Sequence, residues 1–207
     1  MKENEASGRR MPGTPLPANR PQWQPAEDLH GPGTPVAEPQ RIVLAVGLPA
    51  CGKSTWFRNH HIVPLSSDQL RVVLADDVNE QRFQTEVFRA LRYLLKVRLD
   101  LGQPVSYVNA TNLLREHRLP FVEIARARGC VIEALYFAVP VEICLERNCG
   151  RERQVPEDVL RAMADKLEPP ALAEGFRRIV TIGPDGNTVG EQRAAAAFGS
   201  GSRGSIS

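Results

Sequence analysis

Residues 47–55 read Gly-Leu-Pro-Ala-Cys-Gly-Lys-Ser-Thr, and this stretch constrains the chain more than any other. Gly47-x-x-x-x-Gly52-Lys53-Ser54 has the Walker A spacing, and each residue type has a reason to be there. Gly47 and Gly52 let the backbone curl so that its N–H groups point inward at phosphates. Leu48, Pro49, Ala50 and Cys51 fill the turn between them. The Lys53 ammonium is placed to reach the β- and γ-phosphates, the Ser54 hydroxyl to ligate Mg²⁺, and Thr55 completes the cradle. A helix opening at Lys53 adds its positive N-terminal end. The motif also stands in the required context. It follows Arg41–Val46 (RIVLAV), a short apolar run that reads as a buried strand, and it precedes a helical stretch ending near Asn59. ATP and Mg²⁺ are the expected cofactors.

The rest of the chain repeats this alternation. Further strands are expected at Ile62–Leu65, Val105–Val108, Val131–Phe137 and Ile179–Ile182. Helices are expected at about 68–74, with Ser66 or Ser67 as N-cap, and at 79–101, where Phe83, Val87, Leu91, Leu94, Leu95 and Leu99 recur at helical spacing. Others fall at 114–128, 141–148 and 156–167, and Pro120 marks either a kink or a later start in the first of these. Short apolar strands alternating with helices imply an α/β, P-loop NTPase fold: a parallel sheet of about five strands with helices on both faces.

Composition bounds the folded part. Residues 1–40 hold eight of the seventeen prolines and few aliphatic side chains, too little to offset the entropy of ordering them. The expected organisation is a disordered leader at 1–39, a P-loop domain at 40–183 and a flexible tail at 184–207, with a short helix conceivable near 190–198. A net charge of +2 does not support a coat of nonspecific nucleic-acid binding. Cysteines 51, 130, 144 and 149 have neither Cys-x-x-Cys nor zinc-finger spacing, so reduced thiols in a cytoplasmic protein are expected. Cys51 reads as a small filler of the loop. Neither a signal peptide nor a membrane span is legible.

The kind of P-loop protein depends on other residues. A guanine-reading Asn-Lys-x-Asp is absent, and Asp28-Leu-His-Gly31 precedes the P-loop, in the expected leader. A kinase needs a base for its acceptor and cations for the transferring phosphoryl group. Asp68, just after the second strand, is placed to be that base, although an early-helix acid favoured by the dipole would look the same. Arg71, three residues on, could bind an anionic acceptor. Arg147, Arg151 and Arg153 lie around a break between two helices, where a mobile lid could bring guanidinium groups onto phosphates. Arg147 and Arg151, four apart, could share a helical face; a solvated charged turn is the plainer reading.

These pieces, in this order, resemble the kinase domain of bacterial RNA-repair polynucleotide kinase-phosphatases. The resemblance runs from about Ile42 to Ile182. It is carried by residues 47–55, by Ser66-Ser-Asp-x-x-Arg71, by Leu101-Gly and Ala110-Thr-Asn112, by Glu146-Arg-Asn-x-x-Arg-x-Arg-Gln-Val155 and by Glu174-Gly-Phe176. It implies that Lys53 and Ser54 hold ATP·Mg²⁺, that Asp68 is general base for a 5′-hydroxyl, and that Arg71, with Thr111 and Asn112, contacts the acceptor. It further implies that Arg147 and Arg151 engage the donor phosphates from a lid. The implied partners are ATP and a nucleic-acid 5′ end or another hydroxyl acceptor. Asn109 departs from the family's usual aspartate, and carries no charge. A small-molecule or nucleotide-sugar kinase of the zeta-toxin or antibiotic-kinase type, and a nucleotide-dependent binding module with little transferase activity, are the alternatives.

Overall fold

The structure, a computed structural model, describes residues 38–195 apart from 79, 81 and 152. Strand β1 (Arg41–Val46) is buried from Ile42 onward. A strand apolar on both faces belongs in the middle of a covered sheet. It pairs in parallel with β3 (Val105–Asn109) on one side and β4 (Val131–Phe137) on the other. β2 (Leu65–Ser66) flanks β3, and β5 (Arg178–Ile182) flanks β4, both in parallel. β6 (Thr188–Arg193) closes that edge antiparallel to β5. The strand order is β2-β3-β1-β4-β5-β6. Successive connections therefore leave β1 in opposite directions, and the crevice beyond its carboxyl end is where such sheets bind ligands.

Alternation along β1 divides the core. Ile42, Leu44 and Val46 pack with α3 (Gln84–Asp100) and α4 (Arg115–Ala127), while Val43 and Ala45 pack with α1 (Lys53–Asn59), α5 (Val141–Cys149) and α6 (Glu157–Asp165). On α3 the stripe Val87, Leu91, Leu95, Leu99 is buried, each side chain contributing roughly 1.5–3 kcal/mol. α2 (Ser67–Ala75) follows β2 directly, and Ser66 Oγ accepts from the Gln69 N–H at 3.4 Å as its N-cap.

Several expectations are corrected. β2 is only two residues long, and Ile62–Pro64 lie outside it. α3 begins at Gln84, which leaves Phe83 outside the helix and exposed. Pro120 sits inside an unbroken α4, where buried Arg118 and Phe121 hold the segment on either side. The tail expected from 184 is not loose at its start, and no helix forms where one was conceivable at 190–193. The Pro184-Asp-Gly186 turn returns the chain as β6, so the sheet has six strands. Its order comes from backbone pairing and from Arg178 Nη2 donating to Glu191 Oε2 at 2.7 Å, not from apolar burial. Most of the leader expected at 1–39, and the tail beyond 195, lie outside the described residues. Among the described residues, no helix is long and apolar enough to cross a membrane.

Two buried charges stand out. Arg118 on α4 is wholly buried. Its Nε and Nη2 donate to the two carboxylate oxygens of Glu174 at 2.8 and 2.7 Å, and Nη1 lies 3.0, 3.0 and 2.9 Å from the carbonyls of Asn112, Leu113 and Glu168. It thereby joins four chain segments. Glu133 on β4 is also buried, and burial pushes its carboxyl above the usual range, against the pull of Arg178 and Arg41.

Arg118→Met should destabilise the protein by about 3–5 kcal/mol, because it leaves Glu174 charged, buried and unpaired. Urea unfolding measures this, and an unchanged midpoint would show that the clamp holds nothing. Glu133 predicts a pH effect. Its folded pKa lies above its unfolded value, so the native state binds the proton more tightly. Stability from this group is present below the unfolded pKa and is lost as pH rises through the raised folded value. Glu133→Gln should therefore keep or raise the neutral-pH melting temperature and flatten its decline from acid to neutral pH. A variant that melts lower at pH 7 and regains stability in acid would contradict this.

Candidate functional site

The cradle is built where β1 turns into α1. Gly47 has φ 151°, and a Cβ there would lie 3.0 Å from both Cys51 Sγ and Phe137 Cβ. Gly52, the N-cap of α1, has φ 104°, a conformation open to glycine and costly to other residues. Lys53 folds back over the loop. Its Nζ donates to the carbonyls of Gly47 at 2.8 Å and Leu48 at 2.6 Å, and lies 3.5 Å from Cys51 Sγ. These contacts hold the ammonium across the mouth of the loop. Ser54 and Thr55 are exposed on the first turn of α1, and Ser54 Oγ accepts from Asn109 Nδ2 at 3.2 Å. Thus the neutral Asn109, at the end of β3, meets the hydroxyl expected to bind a cation.

A single cleft of about 1220 Å³ joins the cradle to the residues expected of a transferase: Asp68, Arg71, Thr111, Arg147, Arg151 and Arg153 all line it. Asp68 lies in the first turn of α2, half exposed. Arg71, one turn on, is 4% exposed; its Nη1 donates to Asp68 Oδ1 at 2.8 Å and its Nη2 to Gln84 Oε1 at 2.5 Å. Arg71 Nε is buried and has no hydrogen-bond partner among the described residues. The cleft wall formed by α1 is apolar as well as basic: the His60 ring stacks on Trp56 at 3.8 Å between centroids.

Arg147 occupies the last turn of α5. It donates through Nη1 to the Cys51 carbonyl at 3.4 Å and through Nη2 to the Pro184 carbonyl at 2.6 Å, spanning from the cradle to the β5–β6 turn. The expectation that Arg147 and Arg151 share a helical face is corrected, because α5 ends at Cys149. Arg151 instead rides the loop that follows, with no side-chain hydrogen bond to another described residue. Arg153, on the same loop, donates from Nη1 to Asp68 Oδ1 at 3.3 Å.

Asn148 sets the shape of that loop. Buried at the end of α5, it donates from Nδ2 to the Val155 carbonyl at 2.8 Å and accepts from the Val155 N–H at 3.0 Å. Gln154 Nε2 donates to the Cys149 carbonyl at 2.8 Å. The segment is therefore an arch clasped at its base. Asn112 departs from its expected role in substrate binding. It is buried with φ 48°, and its Nδ2 donates to the Ala45 carbonyl at 2.8 Å, which fixes the loop after β3 to β1. Thr111 does reach the cleft, and its carbonyl accepts the Gly47 N–H at 3.0 Å. Cys51 is buried filler, and the nearby Cys144 thiol is pushed up to about 11, first by burial. A thiol pushed upward, as that of Cys144 is, lacks the depressed pKa of a reactive one.

Sequence reasoning missed Gln84, Asn148 and Arg118. Asn148 and Glu174 lay inside two of the motif blocks, and only the Asn-to-Val spacing could have hinted at the clasp. Gln84 and Arg118 carried no signal, since each acts through a partner distant in sequence.

The chain is 25% identical over 136 residues to L-seryl-tRNA(Sec) kinase of Methanococcus maripaludis, covering 62% of this chain and 53% of that one. It thus spans about half the length of that curated relative. Among solved structures, a chain of the Pnkp1/Rnl/Hen1 RNA repair complex superposes with a TM-score of 0.53 at 19% identity, covering 63% of this chain and 44% of that one. A sugar kinase from Janibacter sp. HTCC2649 superposes with a TM-score of 0.52 at 18% identity, covering 71% and 87%. At such identities these structures establish the shared fold. The AAA_33 family (AAA domain) matches residues 42–170, from β1 through α6. With the cradle, the mostly parallel sheet and this match in hand, the chain belongs to the AAA_33 family of P-loop, kinase-like domains.

Proposed function

We propose that this protein is an ATP-dependent phosphotransferase that moves the γ-phosphoryl group to a hydroxyl, best read as the 5′-hydroxyl of a polynucleotide, in the cytoplasm. One observation carries the reading: the cradle, the half-exposed Asp68 carboxylate and the guanidinium groups of Arg71, Arg147, Arg151 and Arg153 share one cleft. In this reading the backbone of residues 47–55 binds the donor phosphates and Lys53 leaves its loop carbonyls for the β- and γ-phosphates. Arg147 and Arg151 balance the charge that develops on the transferring group. The acceptor oxygen attacks the γ-phosphorus, its proton passes to Asp68, the β–γ bridging P–O bond breaks, and ADP leaves. Arg71 holds Asp68 in place and is the candidate contact to a phosphate next to the reacting hydroxyl, with Thr111 beside it.

The residues present suit Mg²⁺. The cradle offers an exposed hydroxyl, Ser54 Oγ, positioned by Asn109, which is the kind of oxygen donor such a cation takes alongside phosphate oxygens and water. Bound there, the cation would neutralise phosphate charge.

The small-molecule kinase reading draws support from the burial of Arg71, whose guanidinium is already shared between Asp68 and Gln84. A panel of 5′-hydroxyl oligonucleotides, nucleosides and sugars, offered with γ-labelled ATP, decides between the readings.

Lys53→Ala should lower kcat by about 10²–10³-fold, and Asp68→Asn by roughly 10²–10⁴-fold, with the fold intact by circular dichroism. Near-normal turnover in the first would remove the cradle from the chemistry, and in the second would remove the base. Arg71→Ala should slow every acceptor, since it unseats Asp68. The further loss on a 3′-phosphorylated nucleoside, compared with the bare nucleoside, should be roughly ten- to hundredfold if a charge-assisted phosphate contact is lost. Equal losses would hand the assignment to the small-molecule reading.

A further inference from the structure

Asp68 stands between two cations of different freedom. Arg71 comes from its own helix and is buried; its side chain is 5% exposed and also held by Gln84. To leave, it would have to strand a buried charge. Arg153 comes from the lid arch, 85 residues away in sequence. It is 25% exposed and meets Asp68 through one longer contact of 3.3 Å, against 2.8 Å for Arg71. Both guanidinium groups fall on Oδ1. Of the two, Arg153 is the one that can be exchanged.

A competitor for it belongs to the same cleft. The arch that carries Arg153 lines the cleft together with the cradle. A nucleoside triphosphate brings several negative oxygens there, and guanidinium groups bind phosphate in bidentate fashion. Against this, a half-exposed carboxylate held by one contact is a weak partner.

We infer that Arg153 is a positioning residue that exchanges partners, holding the Asp68 carboxylate until the phosphates of a nucleotide take its guanidinium. The exchange ties donor to acceptor. Before it, Asp68 carries two cations and is shielded from an incoming hydroxyl. After it, one cation is gone and Oδ1 is open to the hydroxyl, at the moment when a phosphoryl group is in place to be transferred. The clasp by Asn148 lets the arch make this change as a unit. The role given to Asp68 rests on the kinase reading, but the exchange itself concerns nucleotide binding and can be tested without any transfer.

The test is a double-mutant cycle on the full chain, with the affinity for AMPPNP and Mg²⁺ measured by titration calorimetry. If Asp68 competes with phosphates for Arg153, D68N should bind the nucleotide roughly two- to fivefold more tightly than the unaltered protein. R153Q should bind more weakly, and adding D68N to R153Q should bring no further gain. A merely structural role for Asp68 would not tighten binding. Two results would overturn the exchange: D68N binding no tighter than the unaltered protein, or the same gain persisting in the R153Q background, which would mark a general effect of removing a negative charge. A cycle that behaves as expected, in a protein that phosphorylates no acceptor, would support the exchange and sink the kinase reading alone.

Discussion

The buried guanidinium of Arg118 is the contact on which the site's framework depends. Removed from water, it must find its partners within the protein, and it takes them from three other segments, at 112–113, 168 and 174. It fixes the loop after β3 from below, while Asn112 fixes the same loop to the Ala45 carbonyl and Thr111 receives the Gly47 N–H. A line of polar contacts therefore runs from the centre of α4, through that loop, to the first residue of the cradle. The phosphate loop sits on a base held by charge rather than on the apolar core alone. A clamp of this kind tolerates little variation in geometry, since a buried charge that loses its partner costs several kcal/mol.

The architecture around this base was legible in the sequence wherever burial leaves a pattern. RIVLAV had to be a central strand, and the spacing of Val87, Leu91, Leu95 and Leu99 had to be a helix face. The cradle could be read residue by residue, because its glycines and Lys53 answer to a fixed phosphate geometry. β6 was lost for the opposite reason. It is ordered by backbone pairing and an ion pair, and neither leaves a hydropathy signal, although Pro184-Asp-Gly186 is a turn signal that pointed to a returning strand. The short β2 and the late start of α3 went the same way, as tertiary pairing set their ends.

At the site the division is sharper. Residue types with one chemical use, such as Lys53 and Ser54, could be assigned to the cradle from their motif alone. Residues whose use depends on what they touch were not, and Asn112 shows the error in both directions: it was expected to meet substrate and instead supports the loop. Asn109 is a further case. An aspartate there would accept from the Ser54 hydroxyl, whereas the amide donates to its oxygen. The local charge beside the cradle is correspondingly less negative than an aspartate would make it.

The clasp of Asn148 on Val155 bears on the thermodynamics of ligand capture. A loop that must be ordered by its ligand subtracts from the binding free energy about 1–2 kcal/mol for each residue fixed. Here two hydrogen bonds between the Asn148 side chain and the Val155 backbone, with the Gln154 contact, close the arch during folding. The entropy of those residues is charged to the folding reaction, so under the proposed lid role nucleotide affinity and protein stability are linked through this one side chain. Warming that loosens the arch would erode affinity well before it unfolds the sheet.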